Sequence, residues 1–187
     1  MNIFNQKVLP AVRQMKDFEV LLRSRFEYMV LLDSHIGQIK SIVQTARQHD
    51  KKMLVHVDLI QGLRNDEYAT EFLCQEIKPA GVISTRKSAV MTARKNKVLA
   101  IQRLFLLDTN ALETSYRLVE QTQPDFIEVL PGVMPHIIAE VYEKVKIPVL
   151  AGGLIRTIED AEMALDGGAI AVTTSRREIW KHFAGKK

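Results

Sequence analysis

Eight short apolar runs recur along this chain and limit its fold more than any other feature. They are PAVR (10–13), YMVLLD (28–33), MLVHVD (53–58), GVIST (81–85), VLAIQR (98–103), FIEVL (126–130), PVLAG (148–152) and AIAVTT (169–174). Each is too short for a stable helix and rich in β-branched or large aliphatic side chains, so each is a candidate strand. Between and around them lie stretches with helical spacing: MKDFEVLLRS, HIGQIKSIVQTARQHD, NDEYATEFLCQEIK, RKSAVMTARKNK, NALETSYRLVEQTQ, MPHIIAEVYEKV, TIEDAEMALDGG and SRREIWKHF. Strands that alternate with helices pair in parallel, because each crossover must travel back along the sheet before the next strand begins. Eight such units predict an α/β fold, a compact (β/α)8 TIM-type barrel occupying 1–187 as a single domain. The chain is short for that fold, which commonly needs about 200 residues or more, so its loops must be minimal. An open doubly wound sheet is the alternative that periodicity leaves standing. The first run carries the weakest strand signal, since Pro10 suits an edge or an entry segment better than a barrel strand. LIQGLRND, after the third run, reads as the longest irregular connection.

The composition, 47% hydrophobic and 26% charged, is that of an ordinary globular domain. No stretch approaches the roughly twenty apolar residues that span a bilayer, and the first residues lack a basic head followed by an apolar run. The single cysteine, Cys74, has no internal disulfide partner and sits among helix-like residues, where it reads as a packed small side chain rather than a nucleophile. The expected location is therefore the cytoplasm, with no membrane partner. A formal net charge of +4 is too mild to imply a polyanionic partner by itself. Its distribution is less neutral: between Glu76 and Asp108 there is no acidic residue, while Lys78, Arg86, Lys87, Arg94, Lys95, Lys97 and Arg103 all fall in that window. On the helix RKSAVMTARKNK, Lys87, Arg94 and Lys95 share an arc of roughly 100°, with Ala89 and Ala93 on the opposite side. That stripe is the candidate RNA-contacting surface, with Arg176, Arg177 and Lys181 of the last helix as the alternative.

In a parallel barrel, chemistry collects at the C-terminal ends of the strands. The residues closing the runs are polar: Asp33, Asp58, Ser84 with Thr85, Gln102 with Arg103, Glu128, Gly152 with Gly153, and Thr173 to Ser175. Paired glycines let main-chain N–H groups approach a ligand closely, and the turns after the seventh and eighth strands form the recurrent phosphate site of the fold. Gly152, Gly153, Thr174 and Ser175 are therefore the candidate phosphate binders, with Thr157 and Thr174 or Ser175 as N-caps of the helices that follow. Asp33, Asp58, Gln102, Arg103 and Glu128 would meet the hydroxyl end of the same small molecule, although both aspartates could instead cap helices. His56, two residues before Asp58, reads as a hydrogen-bonded core residue. No group of residues has metal-site spacing, and the nearest approach to one is a Mg²⁺ shared by the two aspartates and a phosphate. No catalytic residue, metal or cofactor is assigned.

The sequence also resembles the glycerol-3-phosphate-responsive antiterminator family of bacteria. The resemblance runs through VLPAVRQMKDFE, LLDSHIGQI, HVDLIQGL, ISTR, IQRLFLLD, DFIEVLPGVMP, VLAGGLI and AVTTS, nearly the full chain. It implies a small barrel that is not an enzyme, binds glycerol 3-phosphate as its effector, and acts on the leader mRNA of glycerol-utilisation genes so that a terminator is bypassed. It assigns no RNA-contacting residue, and homo-oligomerisation stays open. Two other classes remain: a TIM-barrel isomerase or transferase acting on a small phosphorylated substrate, and a metabolite sensor that signals through a protein. No strand ends in the lysine or histidine that barrel enzymes of this kind commonly use.

Overall fold

The computed structural model describes residues 4–184. Its strands are β1 (Val8–Val12), β2 (Tyr28–Leu31), β3 (Lys52–His56), β4 (Gly81–Ser84), β5 (Leu99–Phe105), β6 (Phe126–Leu130), β7 (Val149–Gly152) and β8 (Ala171–Thr174). All eight pair in parallel with their sequence neighbours, and β8 closes on β1 with Val8 opposite Val172 and Pro10 opposite Thr174. The helices are α1 (Met15–Leu22), α2 (Ile36–Gln48), α3 (Glu67–Phe72, extended by a wider turn over Leu73–Ile77), α4 (Lys87–Lys95), α5 (Thr109–Thr122), α6 (Pro135–Val145), α7 (Ile158–Asp166) and α8 (Arg177–Phe183). The closed (β/α)8 barrel excludes the open doubly wound sheet. None of the described helices is long and apolar enough to cross a membrane.

The period-two alternation of each strand divides the apolar residues into two cores. Inside the barrel lie Leu9, Ala11, Val30, Leu54, Ile83, Ile101, Leu150 and Ala171, and the lower end is stoppered by Phe4 between Tyr28 and Phe126, with ring centroids 4.9 Å from each. Burying a side chain such as Phe4 contributes about 1.5–3 kcal/mol. The opposite parity, including Val8, Met29, Met53, Val82, Ala100 and Val172, packs beneath the helices. Cys74 is buried in that outer core, and burial, with Glu71 nearby, pushes its thiol up to about 11, well away from a reactive thiolate.

Helix starts follow the sequence signals. Asp66 and Asp108 accept the N–H groups of Ala69 (2.9 Å) and Ala111 (2.7 Å), and Pro135 opens α6. Thr157 caps α7 in a reciprocal box with Asp160, whose carboxylate accepts the N–H groups of Arg156 and Thr157; those bonds lower its pKa.

Two expectations are corrected. The segment after β3 is not wholly irregular: Val57–Leu59 form a tight 3-10 turn, and Ile60–Gln61 pair in parallel with Ser34–His35, a short ladder above the barrel. The other correction concerns β1, which is a full barrel strand with partners on both sides. Pro10 has no N–H to give, and the Gln6 side chain makes good the loss. Its Nε2 donates to Tyr28 O (3.0 Å) and Val8 O (2.7 Å), while its Oε1 accepts from the N–H groups of Glu27 and Tyr28 (both 3.0 Å). A side-chain amide thus acts as a piece of backbone in the β1–β2 seam. Gln6→Ala strands these groups, so it is expected to cost about 1–3 kcal/mol, read as a lower denaturant midpoint with an unchanged m value.

Candidate ligand site at the barrel mouth

The uppermost inward layer of the barrel is polar and continuous. Glu128 is buried in β6 and its Oε1 accepts a hydrogen bond from Thr173 Oγ1 at 2.6 Å. Its Oε2 lies 3.3 Å from Arg103 Nε, an ion pair in which the Nε–H is not aligned on the carboxylate and has no other acceptor among the described residues. Arg103 Nη1 donates to Nε2 of His56, which is 3% exposed. Since a guanidinium has no lone pair to offer, His56 must accept at Nε2 and carry its proton on Nδ1. Burial, reinforced by the Arg103 charge, lowers the His56 pKa to about 4. The layer therefore holds one carboxylate and one guanidinium, with a neutral imidazole completing the arginine's coordination.

Gly152 is what allows this layer to close. A Cβ there would strike Thr173 Oγ1 and lie 2.8 Å from Glu128 Oε1. Next to it the loops after β6, β7 and β8 are joined by hydrogen bonds. Gly132 N–H donates to Gly152 O (2.6 Å) and Gly153 O (3.1 Å), and Thr174 Oγ1 donates to Ile155 O (3.1 Å). Gly153 takes a φ of +71°, which glycine adopts without strain.

Above this layer lie two adjoining chambers. The smaller, about 200 Å³, is lined by Gly153, Leu154, Ile155, Thr173, Thr174 and Ser175, together with Arg13, Arg103, Glu128, Arg156 and Arg176. The larger, about 510 Å³, is lined by Asp33, Asp58, Leu59, Ile60 and Gln61, and shares Arg13, Leu32 and Arg103 with the first. Of the four expected phosphate binders, Gly153, Thr174 and Ser175 meet in the smaller chamber, and Gly152 supports its floor. The expected cap of α8 is corrected: its N-cap is Arg176, without a side-chain bond, and Thr174 Oγ1 instead accepts the Arg176 N–H (3.2 Å).

The residues assigned to the hydroxyl end separate. Arg103 and Glu128 face the mouth, but Gln102 does not. One residue from Arg103, it has the opposite parity, is fully buried behind the strand, and donates Nε2 to the carbonyls of Ser84 (3.2 Å) and Thr85 (3.1 Å). Asp58 lines the larger chamber with both oxygens occupied: Ser84 Oγ donates at 2.6 Å, and Thr85 N and Oγ1 at 2.8 and 2.9 Å, bracing the end of β3 against that of β4. Asp33 is exposed and touched only by Gln61 Nε2 at 3.5 Å. Neither aspartate caps a helix. The reading from sequence missed Arg13 and Arg156 as lining residues, and gave Arg176 only as an alternative RNA contact. Arg13 could have been found by continuing the inward parity of Leu9 and Ala11, and the other two by their places directly after the polar turns.

On α4, Ala89 and Ala93 are buried, and Lys87, Arg94 and Lys95 are on the outside as the helical arc requires. Two of the three cations lean on α5: Lys87 Nζ donates to Gln121 Oε1 (2.9 Å) and Arg94 Nη1 to Thr122 O (3.4 Å).

Residues 8–180 match the glycerol-3-phosphate responsive antiterminator family. The chain belongs to that family. Its fold matches the crystal structure of a glycerol uptake operon antiterminator regulatory protein from Listeria monocytogenes, with 46% identity, a TM-score of 0.93, and 97% of this chain and 98% of the other covered. It also matches a glycerol uptake operon antiterminator-related protein from Thermotoga maritima, with 28% identity, a TM-score of 0.83, and coverage of 94% and 98%. A third relative, the uncharacterized protein YgcP of Escherichia coli (strain K12), is 34% identical over 173 residues, covering 92% of this chain and 91% of that protein. The regulatory character of the antiterminator family agrees with a mouth whose carboxylate and imidazole are already engaged by protein partners.

Two outcomes follow from this geometry. Gly152→Ala is expected to separate Glu128 from Thr173 and to lower stability by about 1–3 kcal/mol, measurable by chemical denaturation. His56 has a native pKa below its unfolded value of 6.5, so between pH 6.5 and about 4 the unfolded chain binds the extra proton. Stability is then fully present above pH 6.5 and falls by up to about 3 kcal/mol as the pH drops to 4. His56→Gln, which keeps an acceptor for Arg103 but does not titrate, is expected to flatten that part of a stability–pH profile.

Proposed function

We propose that this barrel is a glycerol 3-phosphate sensor that regulates glycerol-utilisation genes through their leader mRNA. The observation that carries the reading is the smaller chamber. Arg13, Arg156 and Arg176 converge there with Gly153 and Ser175, and none of the three arginines forms a close ion pair with a carboxylate among the described residues, although Arg156 lies within electrostatic reach of Asp160. Converging guanidinium groups favour a phosphate dianion, which they can bind through two parallel hydrogen bonds. The size of the chamber favours a three-carbon phosphomonoester over a nucleotide. Below the phosphate position, Arg103 lines both chambers and its guanidinium can donate to a ligand hydroxyl, and the Glu128 carboxylate has lone pairs left to accept one. The family to which the chain belongs supports the choice of glycerol 3-phosphate among phosphomonoesters of this size.

The enzyme reading is weaker on chemical grounds. No lysine or histidine lines either chamber among the described residues, which leaves no amine for a Schiff base. Glu128 is held by Thr173 and Arg103 and Asp58 by Ser84 and Thr85, which leaves Asp33 as the loosely held carboxylate of the lining. Calorimetry with glycerol 3-phosphate, product analysis after prolonged incubation, and a gel shift of the leader RNA with and without the ligand test the reading together. Binding and a ligand-dependent shift without turnover are expected; turnover would transfer the protein to the enzymes.

Gly153→Asp places a carboxylate beside the phosphate position and is expected to weaken glycerol 3-phosphate binding at least a hundredfold, or about 2.7 kcal/mol. Aspartate tolerates a positive φ better than most residues, and the added Cβ meets the Leu130 side chain rather than backbone, at 3.1 Å, so the fold should persist. Circular dichroism checks the fold, and undiminished affinity in the folded variant would remove the phosphate from this loop.

A further inference from the structure

A three-carbon phosphomonoester uses only the smaller of the two chambers at the mouth. The larger, about 510 Å³, adjoins it across Arg13, Leu32 and Arg103 and has a different lining. One of its walls is apolar, made by Leu32, Leu59 and Ile60, and the other is formed by Asp33, Asp58 and Gln61. Together the chambers are lined by four guanidinium groups and three carboxylates, so a phosphomonoester, with about −1.5 to −2 charges, leaves the mouth net negative. The imbalance is not evenly spread. Arg156 and Arg176 line the smaller chamber alone, Arg103 is paired with Glu128, and Arg13 stands where the chambers meet. With a phosphate on Arg13, Arg156 and Arg176, every arginine is engaged, and the two aspartates of the larger chamber have no cationic partner left among the described residues. Asp58 is held by the hydroxyls of Ser84 and Thr85 and by Thr85 N–H, neutral donors that brace it without cancelling its charge. Asp33 accepts only a long bond from Gln61, 3.5 Å.

We infer that the mouth also binds glycerophosphodiesters whose second alcohol carries an ammonium group, with the glycerol phosphate half in the smaller chamber and the ammonium-bearing half in the larger. The inference rests on the proposed glycerol 3-phosphate reading and adds a second class of ligand to the same site. An alkylammonium matches both walls of the larger chamber. Its methylene groups lie on Leu32, Leu59 and Ile60, and its charge meets Asp33, with the Gln61 amide oxygen as a further acceptor. The diester link suits the residues that the chambers share, because Arg13 can hold a phosphate oxygen while the second ester bond leads past it. A metal ion is the poorer occupant. Both oxygens of Asp58 already accept hydrogen bonds, Arg13 and Arg103 repel a dication, and no three acidic, histidine or cysteine side chains are placed to hold one among the described residues. An uncharged head leaves Asp33 uncompensated beside the phosphate. Hydrolysis of such a diester by water yields glycerol 3-phosphate and the amino alcohol, so one mouth registers a source of the effector as well as the effector.

The test is calorimetry on the full chain with three probes: glycerol 3-phosphate, its 2-aminoethyl diester, and its 2-hydroxyethyl diester, which has the same shape without the ammonium charge. The aminoethyl diester should displace glycerol 3-phosphate and bind about fivefold more tightly than the hydroxyethyl diester, the size of one ion pair at a rim that solvent reaches. Asp33→Asn keeps the size of the side chain and removes its charge. It should reduce that preference to less than about twofold. It should also bind glycerol 3-phosphate no more weakly than the wild type, since a carboxylate near a phosphate repels it. Leu59→Lys, at an exposed position, gives the aspartates an ammonium group from the chain itself and should likewise remove the preference. Equal affinity of the wild type for the two diesters, or no displacement of glycerol 3-phosphate by either, overturns this inference and leaves the proposed function intact. A preference that survives in both variants places the ammonium elsewhere and overturns the inference as well. A wild type that binds none of the three probes overturns both readings.

Discussion

The Glu128 carboxylate, buried inside the barrel at the level where the cavity opens, imposes most of what surrounds it. A charge in that position is costly unless it is paired and hydrogen-bonded. Thr173 supplies one hydrogen bond, and Arg103 supplies the counter-charge. The guanidinium then needs an acceptor on its far side, which His56 can be only while neutral. Gly152 must lack a side chain for the carboxylate and hydroxyl to meet. Four strands, β3, β5, β6 and β8, are tied together by one ionised group, and the floor of the ligand site is fixed before any ligand arrives.

This arrangement limits what the mouth can do by proton transfer. A general base needs a free lone pair and a pKa matched to proton transfer. Glu128 already accepts from Thr173 and pairs with Arg103, and His56 is occupied on the one nitrogen that could accept. Arg13, Arg156 and Arg176 of the lining can bind and orient an anion but cannot move a proton, and Asp33 is the loosely held carboxylate there. Such a mouth is better equipped for recognition, in keeping with the antiterminator family to which the chain belongs.

The barrel was legible because alternation and spacing repeat eight times, and one weak strand does not change the sum. Pro10 obscured β1, since its missing hydrogen bond is supplied by Gln6, a residue that no periodicity rule connects to it. The glycine and threonine turns were legible as neighbours at the mouth because they combine backbone freedom with a known place in the fold. Gln102 was misplaced by treating every polar strand end as part of the mouth; parity with Ile101 and Arg103 puts it on the outer face. The true partners of Asp58, expected to meet a ligand or cap a helix, were not legible because Ser84 and Thr85, which hold it, come 26 and 27 residues later in the sequence. The arginines were not legible as a cluster, although Arg176 was considered for RNA, because they belong to three loops that only the closed barrel brings together.

Gly132 has a consequence for time. Its N–H is held between the carbonyls of Gly152 and Gly153, and a Cβ at that position would meet Gly152 N at 2.7 Å, so the loop after β6 and the loop after β7 are in contact at the backbone. Loops fixed in this way need no rearrangement to admit a small anion, and electrostatic attraction accelerates encounter. In the proposed sensor, occupancy would therefore follow the metabolite on the timescale of diffusion and release, and the memory of a metabolite pulse would be the residence time of one small molecule.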